Sequence, residues 1–256
     1  MKYLVIIQAR CGSSRLPNKV LADLGGQPVL QRMIERVKKS QTISPDEILV
    51  ATSIEKNNLP IILLCGQIGT RVFVGSETDV LDRFYQAARL FHPQYVIRLT
   101  ADCPLFDVRL LDDAIQRLQP ETDLLAMCSE TFPDGLDFEI MKWQALQKVW
   151  ADAKMQSERE HVTLYMLNHP ELFTVQDYVC PIPNIGHYRW TVDEPEDYEV
   201  VQCVYQHFLE QKNIDFSYQD ILELFGQYPE LYDKNKKFSR NEGLKRSLKN
   251  DVVFDR

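Results

Sequence analysis

The chain has 256 residues, enough to bury a full core, and its 45% apolar and 26% charged content is that of an ordinary globular protein. A formal charge of −8 argues against non-specific binding to nucleic acid, and no apolar run approaches the roughly 18 residues of a membrane span. Six cysteines without a C-x-x-C pair fit neither a zinc knuckle nor a disulfide framework, and the short apolar start fits no signal peptide. Reduced thiols in a cytoplasmic protein are the expectation.

Residues 2–8 read as a buried strand. It empties into Gln8-Ala9-Arg10-Cys11-Gly12-Ser13-Ser14-Arg15-Leu16-Pro17-Asn18-Lys19. α/β proteins hold ligands outside the carboxyl ends of their strands, and this loop is built for phosphate. Gly12 lets backbone N–H groups approach an anion, Ser13 and Ser14 add hydroxyl donors, Arg10 and Arg15 can fork onto phosphate oxygens, and Lys19 adds a point charge. It is not a Walker A loop, because Asn18 and Val20 flank the lysine. Any one of these cations alone reads equally as a surface-turn residue; three of them beside Gly and two Ser point to a polyphosphate.

Apolar spacing then predicts a helix over 29–37, a strand over 48–51 ending in Thr52-Ser53, a helix over 59–68, and a strand over 71–74. Ser76-Glu77-Thr78-Asp79 offers caps to a helix reaching about 91. A strand at 95–99, a helix capped by Asp107 and a strand at 123–127 follow. This alternation predicts a mainly parallel sheet covered by helices on both faces. After residue 130 the pattern becomes irregular. Strands are expected over 138–141, 173–179 and 188–192, and helices over 143–150, 158–167, 195–209 and 218–225. Ser157 and Glu160 read as a capping box. From 229 onward charged residues dominate, and the expectation is an arm that clasps a partner subunit or a solvated tail.

Three constellations carry the chemistry. Asp102 follows the fourth strand, and Asp193 stands between a strand and a helix; each can hold Mg²⁺, which takes one or two carboxylates beside phosphate oxygens. Asp137 and Glu139 alternate with apolar residues, which aims both at one face, where they can accept from sugar hydroxyls. Arg159, His161 and Arg189 are candidate contacts to an anionic acceptor; packing roles are the competing reading, above all for His161.

Five motifs occur in order: Gln8-Ala-Arg-x-Gly-Ser-Ser-Arg-Leu-Pro-x-Lys19, Arg98-x-Thr-x-Asp-Cys-Pro104, Asp134-Gly-Leu-Asp137, Ser157-Glu-Arg-Glu-His-Val-Thr163 and Arg189-Trp-Thr-Val-Asp-x-Pro-Glu-Asp197. Across about residues 1–210 the chain resembles the spore-coat polysaccharide biosynthesis protein F family, which is similar to the cytidylyltransferases of 3-deoxy-manno-octulosonate and acylneuraminate. Ala101 departs from the Gly common in relatives, and Cys11 from the frequent Met.

The resemblance implies a GT-A-like nucleotidyltransferase fold: a mostly parallel mixed sheet flanked by helices, an irregular acceptor-binding insertion and a C-terminal arm. The divisions expected are a nucleotide half over about 1–128, a sugar-binding half over about 129–228 and an arm over 229–256. It implies a Mg²⁺-dependent transfer from a nucleoside triphosphate, CTP favoured, to a sugar or sugar acid, in a homodimer that binds neither nucleic acid nor membrane. Catalysis would fall to Arg10, Arg15, Lys19, Asp102 and Asp193. The nucleotide would lie against residues 8–19, Thr100 and Ala101, with Thr52, Ser53, Ser76, Asp79 and Arg83 near base and ribose. A guanylyl- or uridylyltransferase, a glycosyltransferase and a silent nucleotide-binding subunit stay open as alternatives.

Overall fold

The computed structural model describes residues 1–255. Its centre is one seven-stranded sheet in the order β3-β2-β1-β4-β6-β5-β7. The strands are β1 (Tyr3–Gln8), β2 (Ile48–Ser53), β3 (Arg71–Gly75), β4 (Tyr95–Thr100), β5 (Leu124–Met127), β6 (Glu139–Lys142) and β7 (Val175–Tyr178). β1 is central, and its apolar run has a simple cause. Val5 and Ile7 point into one core, Leu4 and Ile6 into the other, and none of the four touches solvent. A parallel strand covered on both faces reads as a continuous apolar run for this reason. Each such side chain is worth roughly 1.5–3 kcal/mol of burial.

Helices α1 (Val29–Val37), α2 (Leu59–Gln67), α3 (Val80–Arg89) and α4 (Val108–Arg117) connect the parallel strands. Asp79 and Asp107 cap α3 and α4, accepting from the Asp82 and Arg109 backbone N–H groups. β6 is the exception to parallel order, running antiparallel to both β4 and β5. That reversal sets Glu139 opposite Arg98 on the neighbouring strand, and the two pair at 2.6 Å.

The second half is built from α5 (Trp143–Asp152), α6 (Gln156–Glu160), α7 (Leu164–Asn168), α8 (Pro195–Glu210) and α9 (Tyr218–Gln227). Three expectations change here. The helix expected over 158–167 is two short ones, broken where Val162 takes a positive φ of 41°. The strand expected over 188–192 makes one bridge, Asp134 to Arg189, and is otherwise irregular. Ser157 is not a cap: α6 begins after Met155, Glu158 accepts from the Lys154 and Met155 N–H groups, and the Ser157 hydroxyl donates to Asp251.

The charged C-terminal stretch is neither a free tail nor extended. It forms α10 (Glu230–Asn235), seated on α8 by Leu231 and Asn235, and α11 (Glu242–Lys249). It folds back over its own chain, where Val253 bridges Met155 and Asp251 accepts from the Ser157 N–H and hydroxyl. No helix among the described residues is long and apolar enough to cross a membrane.

Candidate active site

The loop after β1 opens at the carboxyl end of the sheet. Its Lys19 is buried, and its Nζ lies 2.7 Å from Asp102 Oδ2 and 2.6 Å from Asp193 Oδ1. Two acids 91 positions apart thus meet at one cationic point. Asp102 arrives there because it ends the turn after β4. Asp193 arrives because the Val192 N–H donates to the Asp102 carbonyl, drawing the two segments together. Burial works against the charge on Lys19, yet the two carboxylates outweigh it and hold its pKa above the usual value. Burial likewise pushes Asp102 up, but the ammonium wins and holds that carboxyl at about 2.

Arg15 extends the cluster, reaching Asp193 at 3.0 Å, Glu194 at 2.9 Å and Glu242 of α11 at 3.5 Å. Behind it, Arg189 donates to Asp197 twice at 2.9 Å, to Asp134 at 2.7 Å and to Asp193 at 3.2 Å. Arg189 therefore aims Asp193. Gly135 allows this close packing: at φ +111° its Cα faces the 190–191 backbone, and a Cβ there would lie 2.5 Å from Thr191 N.

Two cavities meet at this point. One, of about 480 Å³, is lined by Gln8, Arg10, Gly12, Ser13, Ser14, Arg15 and Lys19 from the loop, and by Thr100, Ala101, Asp102 and Asp193. The other, of about 430 Å³, holds Asp137, Glu139, His161 and Arg189, with Asp134 and Arg98. Both are bordered by Arg15, Thr100, Asp102, Asp193 and Gly243. In the second cavity burial lowers the His161 pKa, and its Nε2 lies 3.0 Å from the Ser247 hydroxyl. Cys103 also lines it, but burial pushes that thiol far up, so it is no nucleophile.

Several expected residues stand elsewhere. Ala9 is buried, with its N–H on the Ala51 carbonyl. Arg159 was expected at the acceptor; instead it is 1% exposed and forks onto Asp79 at 2.9 and 2.5 Å, donating also to the Trp150 carbonyl. Asp79, expected near the nucleotide, is committed to that pair and to capping α3. Ser76 accepts from the Asp79 N–H, and Ser53 from the Asn58 amide. Arg159, Asp79, Ser76 and Ser53 line neither cavity. Thr52 and Arg83 line neither cavity, but they belong to a different group. Gln8 Oε1, Thr52 Oγ1, Glu77 Oε2 and the Arg83 Nε and Nη2 are buried without a hydrogen-bond partner. Gln8, Thr52 and Glu77 lie at or just past the carboxyl ends of neighbouring strands β1, β2 and β3, and Arg83 reaches in from α3 to the Ser76 carbonyl; Arg10 meets Glu77 there at 3.3 Å. Buried polar atoms left unpaired are costly, and a cluster of them marks a place that a polar ligand completes.

Residues that sequence reasoning missed are Asp134 as a partner of Arg189 and the whole underside of the arm. Arg240 donates to the Phe132 carbonyl at 2.7 Å, to the Ser129 carbonyl and to Asp137. Glu242, Gly243, Arg246 and Ser247 border the cavities. Asp134 sits in one of the sequence motifs and was within reach; α11 has no buried residue, and its apolar side chains, Leu244 and Leu248, are too few to tell a docked helix from a solvated one.

Asp102 and Asp193 fit a hard divalent cation: two carboxylates from separate segments already converge on one positive charge. No group of three His, Cys, Asp or Glu side chains forms a cage among the described residues.

The family model for cytidylyltransferases matches residues 4–246. The chain is 37% identical to an uncharacterised protein of Methanocaldococcus jannaschii, over 92% of this chain and 95% of that one. It is also 37% identical to the spore coat polysaccharide biosynthesis protein SpsF of Bacillus subtilis, over 89% and 95%. A solved cytidylyltransferase structure from Leptospira borgpetersenii superposes with a TM-score of 0.86 at 32% identity, covering 94% of this chain and all of that one. A synthetase structure described as CMP:2-keto-3-deoxy-manno-octonic acid synthetase complexed with CTP shares the fold, with a TM-score of 0.63 at 18% identity over 81% of this chain and 99% of that one. The architecture is thus an α/β nucleotidyltransferase fold, and the chain is a nucleotidyltransferase that belongs to the cytidylyltransferase family.

Proposed function

We propose that the chain transfers CMP from CTP to a sugar or sugar acid, giving a CMP-sugar and pyrophosphate for surface polysaccharide or glycoconjugate synthesis. The observation that carries this is the border shared by the two cavities, where Arg15, Asp102 and Asp193 stand. The triphosphate fits the loop cavity, with its α-phosphorus at the border. The acceptor fits the cavity of Asp137, Glu139, His161 and Arg189. The orphaned polar group of Gln8, Thr52, Glu77 and Arg83 takes the base and ribose.

An acceptor oxygen attacks the α-phosphorus, forming one P–O bond as its hydroxyl proton passes to water, while the bond to the β-phosphate bridging oxygen breaks and pyrophosphate leaves with that electron pair. Arg15 and Lys19 receive the charge of the departing pyrophosphate. Asp102 and Asp193 would hold Mg²⁺, which supplies charge neutralisation at the α-phosphate. Arg189 keeps Asp193 in place throughout. Positioning and electrostatics do most of the work, since little covalent chemistry is asked of the protein.

The sheet with its carboxyl-end cleft is read as a GT-A-like member of the nucleotidyltransferases, with a nucleotide half to about 128, an acceptor half to about 228 and the arm beyond. Six free thiols fit a reducing cytoplasm. A homodimer is the proposed assembly; exposed Leu59, Leu63 and Val74 beside the β3 edge are apolar surface that it would cover.

A thermal-shift panel tests the reading, because a ligand that binds only the native state stabilises it by about 2.7 kcal/mol at a hundred times its Kd. CTP with Mg²⁺ raises Tm well above GTP, UTP or ATP, and pyrophosphate appears only when a sugar acid or sugar is added. Stabilisation by a nucleotide diphospho-sugar but by no free triphosphate would make the protein a glycosyltransferase.

A further inference from the structure

The loop cavity is short of free positive charge. Arg10 is paired with Glu77, Lys19 with Asp102 and Asp193, and Arg15 with Asp193, Glu194 and Glu242. These three cations face five carboxylates. A triphosphate brings more negative charge into the same space. Among the described residues, the one cation lining this cavity without an acidic partner is Arg246, and it comes from the C-terminal arm.

The arm is built to present it. Residues on both sides of α11 are pinned: Arg240 to the 129–137 segment, and residues 251–254 to 154–157 by Asp251, the Val253 bridge and the Phe254 N–H. Between those anchors α11 buries no side chain and rests on polar contacts. Glu242 touches Arg15, and Ser247 donates to Glu160 at 2.9 Å. Such a segment shifts at low cost. Gly243, Arg246, Ser247 and Asn250 recur at helical spacing and all line the loop cavity, whereas Lys245 and Lys249 do not. Within the motif at 157–163, Ser157, Glu160 and His161 contact this arm.

We propose that Arg246, which lines the loop cavity but not its border with the acceptor cavity, is a ligand of the nucleotide's β- and γ-phosphates, so that the C-terminal arm is a roof that closes on the triphosphate. This rests on the reading of the loop cavity as the triphosphate site. Phosphate entering beside Arg15 takes the place of the Glu242 carboxylate. Arg246 then forms the charge-assisted bonds that draw α11 down.

The test is calorimetric titration of the full chain with CTP and with CMP, in the presence of Mg²⁺. Arg246→Ala raises the Kd for CTP about tenfold, the size expected for one lost charge-assisted hydrogen bond at a wet site. Arg246→Lys recovers part of that loss. Lys249→Ala stays within about twofold of the parent, and the affinity for CMP is the same in all. CTP also slows hydrogen exchange of amides 242–250 in the parent but not in Arg246→Ala. An Arg246→Ala protein that binds CTP like the parent, while Arg15→Ala loses it, overturns the role of Arg246 and leaves the triphosphate site standing. Equal loss of CTP and CMP affinity in Arg246→Ala overturns it as well, because a phosphate-tail contact discriminates between them. A parent chain that binds no nucleoside triphosphate removes the underlying reading.

Discussion

Two clusters in this molecule are made of the same parts and do opposite work. Arg159 and Asp79 form a sealed pair, one cation against one acid, with every guanidinium nitrogen bonded. Lys19 and Arg15 meet Asp102, Asp193, Glu194 and Glu242 in an open cluster, four acids against two cations, at the border of two cavities. The sealed pair is satisfied and has nothing to offer a ligand; it ties α6 to the cap of α3. The open cluster is left with unbalanced carboxylates where a cation and phosphates can enter. What separates structure from function here is not residue type but whether the charge balance closes without a ligand.

Substitutions should break that comparison in opposite ways. Asp102→Asn is expected to lower pyrophosphate release by about 10³-fold, the scale of one lost preorganised electrostatic contact, while moving Tm by less than about 4 °C. Parent-like turnover in steady-state assays would make Asp102 a turn residue only. Arg159→Leu strands Asp79 as a buried unpaired acid and should cost about 3–5 kcal/mol of stability in urea denaturation. Its folded fraction should keep the parent KM for the acceptor; a raised KM with unchanged stability would return Arg159 to the acceptor site.

A smaller effect lies behind the open cluster, at Asp134, which Arg189 holds at 2.7 Å. Burial, reinforced by Asp137, raises its pKa to about 7 from 3.8, against the pull of Arg240 and Arg189. A carboxyl with a higher pKa folded than unfolded makes the native state bind the extra proton. Its contribution to stability is therefore full below pH about 4 and is lost as pH rises to about 7. Asp134→Asn does not ionise, so its Tm should gain on the parent between pH 5 and pH 8. A gap that is flat or shrinks over that range would contradict the raised value.

The sequence made the open cluster legible because its residues sit in compact motifs, Lys19 and Asp102 just past strands β1 and β4 and Asp193 just before helix α8. A strand leading into a Gly-Ser-Arg loop, and acids after two later segments, suffice to place Lys19, Asp102 and Asp193 together. The parallel half was legible for a related reason: buried strands and amphipathic helices alternate, and Asp79 and Asp107 announce their helices. Arg159 was misread because its partner lies 80 positions away, and local spacing cannot tell a buried arginine with a distant acid from one facing a substrate. Tyr188 to Val192 looked like a strand because all but Arg189 are aromatic or β-branched; there the backbone follows Asp102 and Asp134 instead of joining the sheet. The arm was opaque because α11 is held by Glu242, Ser247 and its flanks, and two leucines four apart, Leu244 and Leu248, leave too short an apolar trace to mark it.

The most direct test is a crystal structure of the chain with CTP and Mn²⁺, read by anomalous scattering. The account predicts a manganese peak held by both Asp102 and Asp193 and by an α-phosphate oxygen, with the remaining phosphates on Arg15 and Lys19. A triphosphate seated away from the loop after β1, or a metal touching neither carboxylate, would contradict it.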